Sequence, residues 1–390
     1  MMDITKEIEA RYEDMVAIRR HMHMYPEISF QEENTKEYIY DQIRDLGLDI
    51  RRDVGGNGII ARLHVDDKLP TIGLRADFDA LPIQDAKDVS YRSQIDGAMH
   101  ACGHDAHTAM LITAASILSD YKEELPVNVV FIHQHAEEML PGGARAMVED
   151  GALDGVDYVF GQHVSSKYPV GTLSYTYDYA YANADSFNIT IQGQGGHGAE
   201  PHDAIDPVVA AASLIQQLQS IVSRTVDPLK SAVVTVGTFN SGSVFNVIPD
   251  TAEIRGTVRT FERDVKEQVQ NRIENIARGI ESSFGVQCTV EYNDGYPALL
   301  NDNAQVGHVV RAIRDAEYVK TAEENPPSMG GEDFSYFLQN RPGAYVYTGV
   351  RNSELSADYP HHHPKFDIDE AGMKAGLETL LRTVMEFENP

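Results

Sequence analysis

Four short apolar runs, at residues 71–74, 127–132, 158–160 and 345–347, constrain this chain more than any other feature. Each is too short to bury one face of a helix, and helical patterns such as residues 108–118 separate most of them. Strands alternating with helices predict an α/β fold, a mostly parallel sheet with helices on both faces. Ahead of them, residues 4–24 are charged and carry Ile8, Tyr12, Met15 and Ile18 at helical spacing, which predicts an exposed amphipathic helix.

A different rhythm starts near Asn183. Residues 187–192 read as a strand and 204–223 as a helix, with Val208, Ala211, Ile215, Leu218 and Val222 along one face. Strands at 232–239 and 252–260, a helix at 265–282 and a strand at 286–292 complete the order β-α-β-β-α-β. That order is the ferredoxin-like split βαβ motif. It predicts an inserted α+β domain at 183–295, with a discontinuous first domain at 1–182 and 296–390. Two domains also suit 390 residues, which exceed what one hydrophobic core usually serves.

Composition narrows the function. A formal net charge of −28 argues against nucleic-acid binding, which needs clustered Lys and Arg. No apolar run reaches the roughly 18 residues of a membrane-spanning helix, and the first twenty residues are charged throughout, so no membrane association and no signal peptide are expected. Only two cysteines occur, Cys102 and Cys288, far apart in sequence. A disulfide framework is not expected, and a reducing cytoplasm fits.

In open α/β sheets, ligands bind beyond the carboxyl ends of the strands. The residues following the apolar runs are rich in metal-ligand types: Asp77 and Asp79; His133, His135, Glu137 and Glu138; and His163. Between them lie His100, Cys102, His104, Asp105 and His107, and near the C-terminus His361, His362 and His363. Each is weak alone, but they converge on one edge of one predicted sheet. Cys102 and His104, two apart, point the same way in an extended or looped segment. Thiolate, imidazole and carboxylate together suit Zn²⁺, Mn²⁺ or Co²⁺ better than Ca²⁺ or Mg²⁺. A Glu-Glu pair allows one carboxylate to hold metal while its neighbour takes a proton from water.

Several motifs then occur in order across essentially the whole chain. They are His23-Met24-Tyr25-Pro26-Glu27, the stretch from Leu74 to Pro82 containing Arg75, Asp77 and Asp79, Cys102-Gly103-His104-Asp105, His135-Ala136-Glu137-Glu138 and Gly161-Gln162-His163. Gly195-Gly196-His197-Gly198, Asn246-Val247-Ile248-Pro249, Gly330-Gly331-Glu332-Asp333 and His362-His363-Pro364 follow. The chain resembles the amidohydrolase branch of the M20 metallopeptidases, which includes hippurate, N-acyl-amino-acid and auxin-conjugate hydrolases.

That resemblance implies a zinc-exopeptidase-like catalytic domain and an inserted lid and dimerisation domain. It implies two divalent ions, Mn²⁺ or Zn²⁺ with Co²⁺ able to substitute, held by Cys102, His104, Glu138, His163 and His362. His362 is selected because the family's last ligand lies two residues before the Pro, although His361 and His363 flank it. Glu137 matches the general base. His197 matches a histidine that crosses to a partner's site in a homodimer, Asn246 and Arg259 match substrate-holding positions, and Gly331 and Glu332 are expected to line the pocket. Asp77 stands where other branches carry a metal-binding His and is not expected to be a ligand. The implied activity is hydrolysis of N-acyl-amino acids, with an M20 dipeptidase or aminopeptidase as the alternative and an inactive metal-binding protein as a distant one.

Overall fold

The computed structural model describes residues 2–388. Its chain divides into two compact units. One runs to Ala180 and includes Leu299–Pro327 and the chain from Asp333 onward, and the other comprises Tyr181–Ala298 with Ser328–Glu332.

The first unit is built on an eight-stranded sheet. Its centre is four parallel strands in the spatial order Asn128–Gln134, Thr71–Asp77, Tyr158–Pro169, Gly343–Arg351. These contain the four apolar runs, and Asn128–Gln134 is buried at every position, as a strand covered on both faces must be. Antiparallel strands Asp49–Val54 and Gly58–Leu63 extend one edge, while Thr172–Tyr175 and Thr321–Glu324 form the other. Helix His104–Asp120 is apolar almost all round and buried along nearly its whole length.

Helix Ile4–Met24 is capped by Asp3, whose carboxylate accepts from the Lys6 amide. The face it buries holds Ile8, Met15 and Met22, and also Arg19 and His23. The amphipathic pattern locates this helix correctly, but its inner face carries charge.

The second unit pairs a four-stranded antiparallel sheet with helices Pro207–Arg224 and Arg263–Phe284. Strand order Ala232–Ser241, Thr251–Thr260, Asn183–Gln192, Gln287–Tyr296 is that of a split βαβ. Asp206 caps the first helix with Pro207 at its first position, and Gly285 at φ 74° ends the second. Leu214, Leu218 and Ile221 are fully buried, each contributing about 1.5–3 kcal/mol. Residues Ser328–Glu332 join this unit through Ser328, whose carbonyl accepts from the Ala182 amide at 3.0 Å. Local patterning carries no trace of that long-range pairing. Among the described residues no helix is long and apolar enough to cross a membrane.

Candidate metal centre

Three kinds of backbone deliver the clustered side chains. Glu137 and Glu138 follow the end of strand Asn128–Gln134, where Ala136 turns the chain at φ 51°. His163 lies within a strand rather than after one, because Tyr158–Pro169 continues well past its apolar start and pairs His163 with Tyr347. His104 is the first residue of helix His104–Asp120. Of the extended or looped segment expected for Cys102 and His104, the looped form is present: Gly103 between them sits at φ 92°, and a Cβ there would lie 2.3 Å from Val164 Cγ2. Only glycine permits that turn.

The side chains converge. Cys102 Sγ lies 3.4 Å from His163 Nε2 and 3.7 Å from His361 Nδ1. The ligand atoms of Cys102, His104 and Glu138 fall within 4.8 Å of one another, so the thiol is common to two groups. Glu138 Oε1 is 3.9 Å from His104 Nε2 and 3.2 Å from His362 Nε2. Donor atoms bound tetrahedrally to one ion at about 2.0–2.3 Å sit roughly 3.3–3.7 Å apart, so these separations suit shared ions.

Hydrogen bonding aims the same atoms. His104 Nδ1 faces the Asp79 carbonyl at 3.0 Å and Asp79 Oδ1 at 3.1 Å, which puts its proton on Nδ1 and leaves Nε2 as a lone pair. His163 Nδ1 likewise donates to the Val164 carbonyl at 2.6 Å, turning Nε2 toward the thiol. His104 Nε2 is buried without a hydrogen-bond partner, and Glu138 Oε1, 3.9 Å from it, meets the His362 ring. A buried polar atom left unsatisfied beside a carboxylate is what a missing cation would leave, so the residues fit a metal centre.

The charges agree. Burial works against protonating His104, yet Asp77, Asp79 and Glu138 push it up to about 10. Burial, with Glu138 and Glu137 beside it, holds the Cys102 thiol well above its usual value. Without cations this pocket carries more negative charge than it can settle, and a proton on His104 stands in for one.

The two candidate C-terminal ligands differ. His361 is partly buried, and its Nε2 accepts from the Ser166 amide at 3.3 Å. With that lone pair used, a neutral His361 carries its proton on Nδ1 and donates toward Cys102. His362 is half-exposed, with φ 65° and its ring on Glu138. Asp77 is occupied: Oδ1 meets His107 Nδ1 and Oδ2 meets Arg75, each at 2.6 Å. The far side of His107 accepts from the Val164 amide at 2.8 Å, bracing the residue after His163. Sequence reasoning named no role for His107, although its spacing of three from His104 on one helix was the available signal.

The remaining predicted residues belong to the second unit. His197 pairs with Val247 in a two-stranded ladder, and the Gly198 amide donates to the Asn246 carbonyl at 2.9 Å. Arg259 lies on strand Thr251–Thr260 with its Nε on the Met329 carbonyl at 3.1 Å, close in sequence to Gly331 and buried Glu332.

Residues 73–386 match the model of peptidase family M20/M25/M40. N-acetyl-L-cysteine deacetylase of Bacillus subtilis is 40% identical over 361 residues, 92% of this chain and 84% of that protein. Thermostable carboxypeptidase 1 of Saccharolobus solfataricus is 35% identical over 378 residues, 96% of this chain and 95% of that one. Among solved structures, the Bacillus subtilis YXEP protein, described as a dinuclear metal-binding peptidase of the M20 family, superposes with a TM-score of 0.85. It is 33% identical, with 97% of this chain and 98% of that one covered.

Proposed function

Because this chain belongs to peptidase family M20, we propose that it is a metal-dependent amidohydrolase cleaving the amide bond of N-acyl-amino acids such as N-acetyl or N-benzoyl derivatives. The observation that carries the reading is the buried thiol, imidazole and carboxylate cluster with Glu137 next to Glu138 in one loop. Cys102, His104, Glu138, His163 and His362 hold two divalent ions, Mn²⁺ or Zn²⁺, with Co²⁺ as a substitute. When bound, such ions supply Lewis acidity and lower the pKa of water to about 7.

Glu137 takes the proton of the attacking water and passes it to the departing amine. His197 of the partner subunit donates to the carbonyl oxygen as negative charge develops, Asn246 and Arg259 hold the substrate's carbonyl and carboxylate, and Gly331 and Glu332 line its pocket. A homodimer through the inserted unit, which acts as lid, is supported by the edge strand Ala232–Ser241 and by exposed Val244 and Phe245. Two unpaired cysteines fit a cytoplasmic location.

The carboxypeptidase relative favours a second reading, release of a C-terminal amino acid from a peptide. Both reactions break an amide formed by the nitrogen of an amino acid with a free carboxylate, so one panel separates them. Chelator-stripped protein is reloaded with Mn²⁺, Zn²⁺ or Co²⁺ and given N-acyl-amino acids beside dipeptides. Metal-restored hydrolysis of the acyl-amino acids is expected, and cleavage of dipeptides alone would replace the proposal with the peptidase reading. Glu137→Gln is expected to lose turnover by more than about 100-fold with both metals retained, within the usual worth of a general base. Near-wild-type activity in that variant would remove Glu137 from the mechanism.

A further inference from the structure

The segment from Pro26 to Glu32, which opens on the last two residues of the His23–Glu27 motif, has no part in the reaction as described above, yet it grips the loop that carries Glu137. Glu27 accepts from the Thr35 amide at 2.8 Å and the Thr35 hydroxyl at 2.9 Å, tying the segment to helix Glu33–Ile43. Ser29 Oγ donates to Asp79 Oδ2 at 2.6 Å, and the same oxygen accepts from the Glu138 amide at 3.0 Å. Glu32 reaches furthest. Its side chain is fully buried, and its Oε1 accepts from the Ala136 amide at 2.9 Å while Oε2 accepts from Asn57 Nδ2 at 3.2 Å.

Ala136 is where restraint matters. A non-glycine residue at φ 51° is strained, and such a conformation persists only where its surroundings over-determine it. Its carbonyl accepts from the Gly143 amide at 3.0 Å, so Glu32 supplies the other half of the clamp. Without it the Ala136 amide is a buried donor with nothing to satisfy it, and rotation of that peptide redirects Glu137, one residue on.

We propose that Glu32 is a positioning residue for the reaction: by holding the Ala136 amide it fixes the left-handed turn that aims Glu137 at the attacking water. The proposal rests on Glu137 as the base. Burial and the neighbouring Asp79 carboxylate push Glu32 up to about 7, so the role needs an acceptor and not a full charge. Glutamine is therefore the conservative replacement and methionine the removing one.

The test compares Glu32→Met and Glu32→Gln in the metal-loaded protein, reading kcat, KM, bound metal and amide exchange across residues 134–138. Misplacing a reacting group by about 1 Å can cost 100-fold in rate. Glu32→Met is expected to lower kcat by about 10–100-fold with KM and metal content within about twofold, and to speed exchange at Ala136 by at least tenfold; Glu32→Gln is expected to stay within about threefold of wild type. A Glu32→Met protein with wild-type kcat and exchange overturns the proposal, as does equal damage in both variants. If Glu32→Met does not fold, Asn57→Ala frees one carboxylate oxygen and carries the test: a lower kcat at constant KM supports the role, and an unchanged kcat overturns it. The underlying reading fails separately. Should Glu137→Gln remain active, the base assignment is wrong even where Glu32→Met still loosens the loop; should Glu137→Gln be dead and Glu32→Met be normal, only the role of Glu32 falls.

Discussion

Replacing Arg19 by methionine tests whether the first helix is an interior strut. The guanidinium is fully buried and meets three carboxylates, Asp105 at 2.9 Å, Asp367 at 2.7 Å and Glu370 at 3.1 Å. Removing one partner of a buried ion pair typically costs about 3–5 kcal/mol, because the charge left behind stays desolvated. Here each carboxylate keeps another partner. Asp105 retains His23 at 2.7 Å, Asp367 retains the Tyr91 hydroxyl at 2.7 Å, and Glu370 retains Arg20 at 2.6 Å. The expected loss is therefore at the low end, about 3 kcal/mol.

The pH dependence follows with a definite sign. Burial opposes ionisation of Asp105 and Asp367, but Arg19 heads the attractions that hold both below the usual value of 3.8. Depressed carboxylates contribute stability that is present above their unfolded pKa and lost as pH falls through the folded one. The wild type should then lose stability more steeply than Arg19→Met below about pH 4, narrowing the gap. Urea unfolding of both proteins, with metal concentration fixed, reads this directly. A loss under about 1 kcal/mol at pH 7, or a gap that widens on acidification, would refute the account.

Two further variants probe the centre itself. His362→Ala should lose about one equivalent of metal by elemental analysis, whereas His361→Ala, whose Nε2 lone pair already accepts from Ser166, should keep both and bind them more weakly; the reverse pattern would exchange their roles. Gly143→Ala would bring a Cβ within 2.1 Å of the His135 carbonyl oxygen. It is expected to shift the loop bearing Glu137 and Glu138 and reduce kcat at least tenfold, and wild-type kinetics would show that the loop gives way elsewhere.

Much of this was legible in the sequence because buried parallel strands leave continuous apolar runs, and all four such runs became the central strands. The second unit was legible for a related reason, since periods near two and 3.6 alternate cleanly from Asn183 to Tyr292. What the pattern does not carry is extent and partner. It placed His163 after a strand that in fact continues to Pro169, since the later residues of that strand are polar and their pairing with Gly343–Arg351 is long-range. It read Cys102 and His104 as sharing an extended or looped segment, and could not tell the two apart because a helix beginning after a left-handed glycine leaves no apolar mark before His104. The order of ligand types was visible; which ring nitrogen faces inward is decided for His104 by Asp79 and for His361 by Ser166, both distant in sequence, and for His163 by the carbonyl of the next residue, Val164, a bond that only the strand geometry reveals.

The same limit explains the first thirty-two residues. Helical spacing reports which face of Ile4–Met24 is apolar, but not that Arg19 and His23 on that face answer Asp105, the neighbour of His104. Taken with Ser29 on Asp79 and Glu32 on Ala136, this gives the N-terminal segment contacts with both loops that carry the cluster. Each is a buried charge-assisted or carboxylate hydrogen bond, and such bonds are costly to leave half-made. The segment therefore restrains the centre from outside it. Substitution of Glu32 is expected to lower kcat at nearly constant metal content, whereas substitution of Arg19 costs folding stability, because the helix that bears it shares the sheet's apolar core through Ile8, Met15 and Met22.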